Sequence, residues 1–383
     1  MSSFEFATAR QIIFGAGKLS ELGRHVDGNA RRLLLVSGHS ADAIPRVRKV
    51  LAALDVSLTE IQVHGEPTIQ VIRAGVESAR EHDMVIAVGG GSVLDTGKAI
   101  AALVTNPGDV LDYLEVIGKG QPLLHAPLPY IAIPTTAGTG SEVTRNAVIE
   151  STEKNLKVSL RSPLMLPRLA LVDPELTYSL PPEITASSGL DALTQLIEPF
   201  VSVKANPMTD AICREGMSYA ARSLQRVYAD GTDHEAREGM SLASLFGGMA
   251  LANAALGAVH GFAGPLGGML HAPHGALCAR LLPLVMEANI NALQTRQPEH
   301  PALNRYIEIA RILTGDGNAT AEDGVLWTRQ LVQELKIPGF STYGLDERIF
   351  PEAIEKTMKA SSFKGNPIPL EEKELRGILE KAL

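Results

Sequence analysis

The sequence predicts an α/β N-terminal domain with a parallel sheet, followed by an all-α C-terminal domain. Over about the first 180 residues, short apolar runs alternate with helical stretches, whereas after Pro181-Pro182 one helical pattern follows another. At 383 residues the chain is also long for a single hydrophobic core. We therefore place the domains at 1–181 and 182–383.

Four short apolar runs are the predicted strands of the first domain. They are Leu33–Val36, Met84–Val88, Tyr130–Ile133 and Leu169–Val172. Continuous apolar runs of this length are typical of strands covered on both faces, as in a parallel sheet. Helical stretches such as Ile44–Leu54 and Val71–Glu81 lie between them, which indicates the βαβ units of a nucleotide-binding domain.

The second domain is rich in Ala, Leu, Met and Glu. Its predicted helices are Ile184–Val203, Pro207–Tyr228, His234–Ala258, Ala302–Leu313, Ala321–Leu335 and Glu371–Ala382. The apolar stretch 251–270 contains His260, Pro265 and several glycines, so we interpret it as buried helix and loop.

The bulk composition excludes several classes of protein. Hydrophobic residues make up 45% of the chain and charged residues 20%, as in a soluble globular protein. The net charge of −8 and the lack of a basic cluster argue against a nucleic-acid partner. The N-terminus lacks a basic segment followed by an apolar one, and no apolar run reaches the roughly 18 residues of a membrane span. We therefore expect a cytoplasmic protein with no membrane partner.

The two cysteines are too few for a disulfide framework. Neither Cys213 nor Cys278 has a second cysteine at CxxC spacing. We interpret both as buried or semi-buried thiols.

Two glycine-rich segments follow predicted strands. Gly89–Ser92 precedes the helical stretch Val93–Val104, so backbone N–H groups at a helix start are available to an anion. The segment matches neither the Rossmann nor the P-loop pattern, and alone it indicates a turn equally well. Pro134–Glu142 also follows a strand and concentrates hydroxyls and glycines where α/β sheets bind ligands. Its alternative interpretation is a capped loop, but together the two segments favour a phosphate site.

Three residues of the second domain are good ligands for a divalent metal. They are Asp191, His260 and His274. Asp191 lies on a predicted helix, where position i+4 shares its face and would suit a further ligand, but that residue is Gln195. Position i+4 from His260 is Gly264, which has no side chain.

Four segments together resemble the iron-containing, group III alcohol dehydrogenases. They are GGGSVLDTGKA (89–99), PTTAGTGSEVT (134–144), SGLDALT (188–194) and the H-G-x-A…P-L-G-G…P-H-G segment (260–275). They occur in the family's order and cover nearly the whole chain. The resemblance implies a dinucleotide-binding domain, a helical domain, NAD(P)-linked oxidation or reduction of small alcohols and aldehydes, and a homodimer or larger assembly.

The resemblance also assigns roles to individual positions. Gly90, Gly91 and Ser92 match the residues that bind the pyrophosphate of the cofactor. Thr135, Thr136 and Thr139 match further cofactor contacts, and Asn146 and Lys157 match positions near the nicotinamide ribose. Asp191, His260 and His274 match three of the family's four metal ligands.

Two departures from the family pattern concern its chemistry. The family usually has histidine at both Gln195 and Gly264, the first as a metal ligand and the second as a proton relay. The similar glycerol dehydrogenases hold zinc with three ligands, and the maleylacetate reductases work without metal. Both precedents remain open, with Fe²⁺ or Zn²⁺ as the expected metal if one binds.

Two side chains are candidates to replace the missing catalytic groups. His271, three residues before His274 in a predicted loop, is a candidate acid or base, with a substrate contact or a surface residue as alternatives. Gln195 can offer a weak metal ligand or a hydrogen bond to a developing alkoxide, or it is simply a buried amide.

The segment after the first predicted strand bears on the choice of cofactor. NAD-preferring members often have an acidic residue where this chain has Gly38, and such a residue repels a 2′-phosphate. Since that repulsion is absent and His39 and Ser40 can contact a phosphate, the sequence favours NADP over NAD.

Three hypotheses for function follow. The leading one is an NAD(P)-dependent alcohol dehydrogenase or aldehyde reductase with a three-ligand metal site. The second is a metal-independent, maleylacetate-type reductase of a polar oxo substrate such as an oxo acid. The third is a cofactor-binding protein that has lost catalysis. The sequence does not identify the substrate.

Overall fold

The computed structural model describes residues 3–26, 28–154 and 156–383. They divide into two compact units, one of Ala7–Leu180 and one of Pro181–Leu383 together with the described N-terminal residues up to Phe6. The division lies one residue from the domain boundary predicted from the sequence.

The N-terminal unit contains a parallel sheet and a separate hairpin. The strands in its described part are β1 (Ile12–Phe14), β2 (Arg32–Ser37), β3 (Ser57–Gln62), β4 (Met84–Gly89), β5 (Tyr130–Pro134), β6 (Asn146–Ser151), β7 (Leu156–Arg161) and β8 (Leu169–Val172). Six of them form one sheet in the order β1-β8-β5-β4-β2-β3, with every neighbouring pair parallel. The predicted parallel sheet is confirmed.

The four strands predicted from continuous apolar runs are the inner strands of this sheet. The prediction missed its two edge strands, β1 and β3. The first has only three residues, and the second, SLTEIQ, is largely exposed and carries no apolar run. An edge strand has one neighbour, so its sequence is less constrained to be apolar.

The hairpin of β6 and β7 was also missed. The two strands are antiparallel, and alternate residues of β6 are buried. Ala147, Ile149, Val158 and Leu160 of the hairpin join the helices in a shared core. A strand that is buried on one face only alternates between apolar and polar residues, so a search for continuous apolar runs does not find it.

Helices cover both faces of the parallel sheet. The helices of this unit are α1 (Leu22–His25), α2 (Ala43–Leu51), α3 (Ile69–Ala79), α4 (Gly91–Leu103) and α5 (Val110–Tyr113), with short 3₁₀ helices at Lys18–Glu21, Ser141–Val143, Pro163–Met165 and Pro174–Thr177. Leu33 and Leu35 pack on the face shared with α2, and Leu34 and Val36 pack on the face shared with α4. This alternation is the physical reason why the strand reads as a continuous apolar run.

The C-terminal unit is helical throughout its described part. Its helices are α6 (Pro182–Val201), α7 (Pro207–Ala229), α8 (His234–Ala254), α9 (Ala258–Leu270), α10 (His274–Arg296), α11 (Ala302–Thr314), α12 (Ala321–Glu334), α13 (Phe350–Lys359) and α14 (Glu372–Ala382), with 3₁₀ helices at Phe340–Tyr343, Glu347–Ile349 and Ser362–Gly365. Five of the six predicted helices agree with these bounds to within about two residues.

The predicted helix His234–Ala258 was too long. The helix ends at Ala254, because Ala255 has a left-handed backbone with φ of 61°, and a new helix begins at Ala258. The two helices meet at 100°. The predicted loop at 271–275 was wrong in part, since His274 is the first residue of α10, a helix that the sequence analysis did not predict.

Helix α10 is long and apolar enough to cross a membrane by length and composition, and the bent pair of α8 and α9 passes the same test. However, 78% of the apolar window of α10 is buried inside the protein, as in a core helix.

Candidate metal centre and cofactor loops

Four metal-ligating side chains of the C-terminal unit converge on one point. Helix α6 supplies Asp191, α9 supplies His260, and α10 supplies both His274 and Cys278. One ligand atom from each lies within 4.8 Å of all the others. The three residues predicted as metal ligands are therefore brought together, and a cysteine joins them.

The ligand atoms are close enough to one another to coordinate a single ion. Asp191 Oδ1 lies 3.3 Å from His260 Nε2 and 3.9 Å from His274 Nε2. Cys278 Sγ lies 3.7 Å from His260 Nε2 and 3.6 Å from His274 Nε2. Asp191 and Cys278 are almost completely buried, and the side chain of His274 is 36% exposed.

Two buried oxygens at this point accept no hydrogen bond. They are Asp191 Oδ1 and Gln195 Oε1. A buried acceptor without a partner costs free energy, and a buried carboxylate oxygen aimed at imidazole nitrogens is a natural ligand for a cation. The donor set of carboxylate, imidazole and thiol fits a divalent transition metal or zinc.

One face of α6 carries the polar residues that support the cluster. Asp191, Gln195 and Glu198 have i, i+4, i+7 spacing. Gln195 Nε2 donates a 2.9 Å hydrogen bond to Asp191 Oδ2, which fixes the carboxylate and leaves Oδ1 towards the histidines. The amide of Gln195 thus positions Asp191.

Glu198 holds His260 in place and was missed by the sequence analysis. Its Oε2 lies 2.6 Å from His260 Nδ1, and its Oε1 accepts a 2.7 Å hydrogen bond from the N–H of Val259. Asn366 Oδ1 accepts from the N–H of Ala258, so two side chains cap the start of α9. A carboxylate on Nδ1 directs Nε2 to a metal, and the spacing of Glu198 from Asp191 could have revealed it.

The electrostatics of the cluster favour a positive charge. Burial raises the pKa of Asp191, but His260, His274 and Gln195 outweigh it and hold that pKa below its usual value. Burial alone lowers the pKa of His260, yet the negative groups around it raise that pKa well above the usual value. Burial raises the pKa of the Cys278 thiol to about 12. A cation at this point is therefore stabilised by the carboxylates of Asp191 and Glu198.

The two remaining chemical positions lie on α9. His271 is exposed and ends the helix in a left-handed conformation with φ of 50°. It is not one of the four clustered ligands, so its role as acid or base stays a prediction. At Gly264, a Cβ atom would meet no heavy atom within 4 Å.

In the N-terminal unit, the two glycine-rich segments touch each other. Gly90 is the residue before α4, and the N–H of Thr135 donates to Gly89 O at 3.0 Å. A Cβ atom on Gly91 would lie 2.7 Å from Thr139 Cγ2, so only glycine permits this contact. The N-cap position at Gly90 provides no side-chain cap, so N–H groups at the start of α4 are available to an anion.

The remaining predicted cofactor residues of these segments lie beside that helix start. Ser92 is in the first turn of α4, and Thr136 Cγ2 would lie 3.3 Å from a Cβ atom on Gly90. The structure therefore brings together the predicted pyrophosphate cradle and the predicted threonine contacts.

A buried lysine braces the second segment, and the sequence analysis missed it. Lys98 Nζ lies within 3.0 Å of Ser141 O, Ser141 Oγ, Thr144 Oγ1 and Asn146 O. Asp95 Oδ1 accepts from Ser141 Oγ at 2.5 Å, and its Oδ2 accepts from the N–H of Val148. Burial lowers the pKa of Lys98. The Asp-x-x-Lys spacing on one helix face was the available signal.

Asn146 and Lys157 lie on the hairpin but not at one point. Asn146 pairs with Arg161 at one end, and Lys157 pairs with Glu150 four positions along the ladder. Lys157 Nζ forms a 2.7 Å ion pair with Glu66. Their predicted contacts with the nicotinamide ribose stay a prediction.

The segment predicted to select the cofactor, Gly38 to Ser40, follows β2 at the point where the direction of strand succession in the sheet reverses. The chain passes from β2 outwards to β3 and then to β4 on the other side of β2, and the N–H of Gly38 donates to Val88 O at 3.1 Å. A Cβ atom on Gly38 would lie 3.0 Å from Val93 Cγ2. His39 is exposed and lies 3.0 Å, ring nitrogen to ring nitrogen, from His64. Ser40 Oγ accepts from the N–H of Ala43 at the start of α2.

Comparison with known proteins agrees with this geometry. The iron-containing alcohol dehydrogenase family matches residues 9–174, and the C-terminal part of the Fe-containing alcohol dehydrogenase family matches residues 185–383. The chain belongs to the iron-containing alcohol dehydrogenase family.

Relatives within the iron-containing alcohol dehydrogenases cover the whole length of the chain. Alcohol dehydrogenase 4 of Saccharomyces cerevisiae is 35% identical over 377 residues, with 96% of each chain covered. The structure of a 1,3-propanediol oxidoreductase superposes with a TM-score of 0.92 at 32% identity, over 100% of both chains. A sulfoacetaldehyde reductase of Bifidobacterium kashiwanohense, solved in complex with NAD⁺, has a TM-score of 0.87 at 27% identity and covers 100% of this chain and 99% of its own. The chain is thus an oxidoreductase of the alcohol dehydrogenase type.

Proposed function

We propose that the protein is an NAD(P)-dependent alcohol dehydrogenase or aldehyde reductase that uses a divalent metal held by Asp191, His260 and His274. The observation that carries the proposal is the convergence of these three side chains on one buried point, within a chain that belongs to the family. The unsatisfied Asp191 Oδ1 supports a metal there. The reaction would transfer a hydride between the nicotinamide and the carbinol carbon of a small substrate.

The metal would supply one element of the chemistry. A divalent ion lowers the pKa of a substrate alcohol and polarises the corresponding carbonyl. The chain's own residues position it: Gln195 fixes the Asp191 carboxylate, and Glu198 holds His260 with Nε2 towards the cluster. Loss of either support would weaken metal affinity, by about 10- to 100-fold for a residue that orients a ligand.

The cofactor would bind at the start of α4. The N–H groups there and the hydroxyls of Thr136 and Thr139 suit a pyrophosphate. The NAD⁺ complex of the sulfoacetaldehyde reductase supports a nicotinamide dinucleotide in this fold. For this chain we propose a preference for NADP, because Gly38 itself carries no acidic side chain and the next residue, His39, forms an exposed pair with His64.

The family usually has a proton-relaying histidine where this chain has Gly264, so another group must carry the proton. We propose His271 as the acid or base, since it is exposed and directly follows the last residue of α9, the helix that carries His260. We also propose a cytoplasmic protein that acts as a homodimer or larger assembly on a small alcohol, aldehyde or oxo acid.

The metal content of the protein tests this function. The protein would be incubated anaerobically with Fe²⁺ or Zn²⁺, freed of excess metal and analysed by elemental mass spectrometry. We expect about one ion per chain, lost in Asp191→Asn, together with turnover of simple alcohols and aldehydes that requires the metal. Retained activity without bound metal would favour the maleylacetate-type reductase, and cofactor binding without turnover would favour a non-catalytic protein.

A further inference from the structure

We propose that Cys278 is a metal ligand and takes the place of the histidine that the family usually has at position 195. The site would then bind its metal through one carboxylate, two imidazoles and one thiolate. The inference rests on the proposed function only in requiring a metal at this cluster.

The local geometry of α10 brings Cys278 to the cluster. His274 is the first residue of the helix, and Cys278 is four residues later, so the two side chains share one face. Cys278 Sγ lies between the two imidazoles, at 3.6 Å from His274 Nε2 and 3.7 Å from His260 Nε2. The thiol is fully buried at this point.

Three distances between the ligand atoms match those of a tetrahedral zinc site. With Zn–N of about 2.05 Å and Zn–S of about 2.3 Å, tetrahedral coordination separates N and S by about 3.6 Å and N and O by about 3.3 Å. The two S···N distances are 3.6 and 3.7 Å, and one of the O···N distances is 3.3 Å. The other O···N distance, between Asp191 and His274, is 3.9 Å. Metal binding would therefore require the partly exposed His274 to move by about half an ångström towards Asp191.

Gln195 is the competing fourth ligand, and its hydrogen bonding disfavours it. Its Nε2 donates to Asp191 Oδ2, so the amide is engaged in holding a neighbouring ligand. Its remaining Oε1 is a neutral carbonyl oxygen, which is a weaker ligand than a thiolate for zinc. A cluster with Cys278 also places two negative ligands on a dication, and thus neutralises its charge.

The proposal predicts which metal the site prefers. Binding converts the thiol and the free ion into a metal thiolate and releases the thiol proton, with no change of oxidation state, and an imidazole that is protonated in the metal-free protein releases its proton as well. A thiolate is a soft ligand, so Zn²⁺ and Co²⁺ should be retained more tightly than Mn²⁺ or Mg²⁺. A site with only oxygen and imidazole ligands would discriminate less.

Cobalt substitution tests the ligand directly. Co²⁺ would be bound to the full-length protein, to Cys278→Ala, to Gln195→Ala and to Cys213→Ala, the last being the matched control because Cys213 is equally buried on α7. We expect a near-ultraviolet thiolate-to-cobalt charge-transfer band that only Cys278→Ala loses. We also expect Cys278→Ala to weaken Zn²⁺ binding by more than about tenfold, measured by competition with a chromophoric chelator. A charge-transfer band that survives in Cys278→Ala, or its absence from the unmodified protein, overturns the proposal.

X-ray absorption of the zinc-loaded, unmodified protein gives a second test that needs no variant. We expect one sulfur scatterer at about 2.3 Å from zinc among nitrogen and oxygen at about 2.0–2.1 Å. Stoichiometric zinc with only nitrogen and oxygen neighbours would overturn the role of Cys278 and leave the proposed function standing. A protein that binds no metal would overturn both.

Discussion

At the scale of single residues, Gly264 is an open position on the helix that carries His260. A Cβ atom there meets no neighbour within 4 Å, although the residue lies within α9, four residues after His260. The backbone position itself therefore has room for the first side-chain atom of another residue.

Replacing this glycine tests whether a proton carrier limits turnover. We expect Gly264→His to raise kcat by about tenfold or more, since general acid–base catalysis contributes about 10²–10⁴-fold when the group is well placed. Gly264→Ala is the control, because it also replaces the helix-destabilising glycine but adds no proton carrier. Equal kcat values for the two variants in steady-state assays would show that proton transfer does not limit the reaction.

Gly38 is the position that we propose to influence the choice between NAD and NADP. A carboxylate there would repel a 2′-phosphate, and the 3.0 Å approach to Val93 Cγ2 means that it must be introduced together with Val93→Ala. We expect Gly38→Asp in that background to shift the ratio of kcat/KM for NADP(H) to that for NAD(H) by about tenfold towards NAD(H), or about 1.4 kcal/mol. Gly38→Asn, of equal size but neutral, should shift it much less; equal shifts would mean that size and not charge decides.

At the scale of elements, α4 is both the proposed cofactor-binding helix and the helix that holds the segment Ser141–Asn146 in place. Lys98 on this helix bonds to three separate residues of the segment Ser141–Asn146. Because its ammonium group is buried, removing the charge leaves several acceptors and Asp95 without their partner.

We therefore expect Lys98→Met to destabilise the protein by about 3–5 kcal/mol and to weaken cofactor binding. Lys373→Met, at a side chain that is 78% exposed, is the control and should change stability by less than about 0.5 kcal/mol. Urea denaturation and cofactor fluorescence titration measure the two effects. Full stability in Lys98→Met would show that the lysine does not hold the segment.

The same segment contains a carboxyl group whose charge depends on pH. Burial raises the pKa of Glu142 to about 7, from an ordinary value of 4.5. The folded state therefore keeps a proton that the unfolded state loses, and this contribution to stability disappears as the pH rises from about 4.5 through 7.

Glu142→Gln should remove this dependence. Its free energy of unfolding, relative to the unmodified protein, should increase by about 2.5 kcal/mol between pH 5 and pH 8, which is most of the roughly 3.4 kcal/mol that the difference in pKa represents. Glu153→Gln, in an exposed turn, is the control with the same change of charge. Parallel stability curves for the three proteins across that range would contradict the assignment.

The elements also show which patterns a sequence reveals. The inner strand β4 is buried on both faces, so its six residues are all apolar or glycine and were found at once. The hairpin and the edge strand β3 face solvent on one or more sides, so their composition resembles that of loops. Helix α10 was missed because HAPHG carries turn residues, although they lie just before and at the first turn of a helix.

At the candidate site, spacing within one helix was predictable and convergence of separate helices was not. Asp191 and Gln195 were paired from their i, i+4 spacing, and the same rule applied to His274 would have found Cys278. Nothing in the sequence places α6 against α9 and α10, since that depends on packing across the whole unit. The family resemblance supplied that relation for the histidines but not for the cysteine.

At the scale of the whole molecule, metal and cofactor should stabilise different units. The proposed metal ligands all belong to helices of the C-terminal unit, and the glycine-rich segments belong to the N-terminal unit. A ligand present at 100 times its Kd stabilises the state that binds it by about 2.7 kcal/mol.

Hydrogen exchange can separate the two effects. We expect Zn²⁺ to slow amide exchange in α6, α9 and the first turns of α10, and NADP⁺ to slow it in β4, α4 and the segment 134–144. Magnesium serves as the control for ionic strength. Protection by Zn²⁺ confined to other helices would place the metal elsewhere.

The capping of α9 by two side chains constrains when the site can form during folding. The N–H groups of Ala258 and Val259 bond to Asn366 and Glu198, which are 108 and 61 residues away in sequence. Contacts over such separations cost loop-closure entropy and form late in folding. Glu198 also contacts the ring of His260, so this imidazole takes up its orientation only when helices that are distant in sequence have packed together.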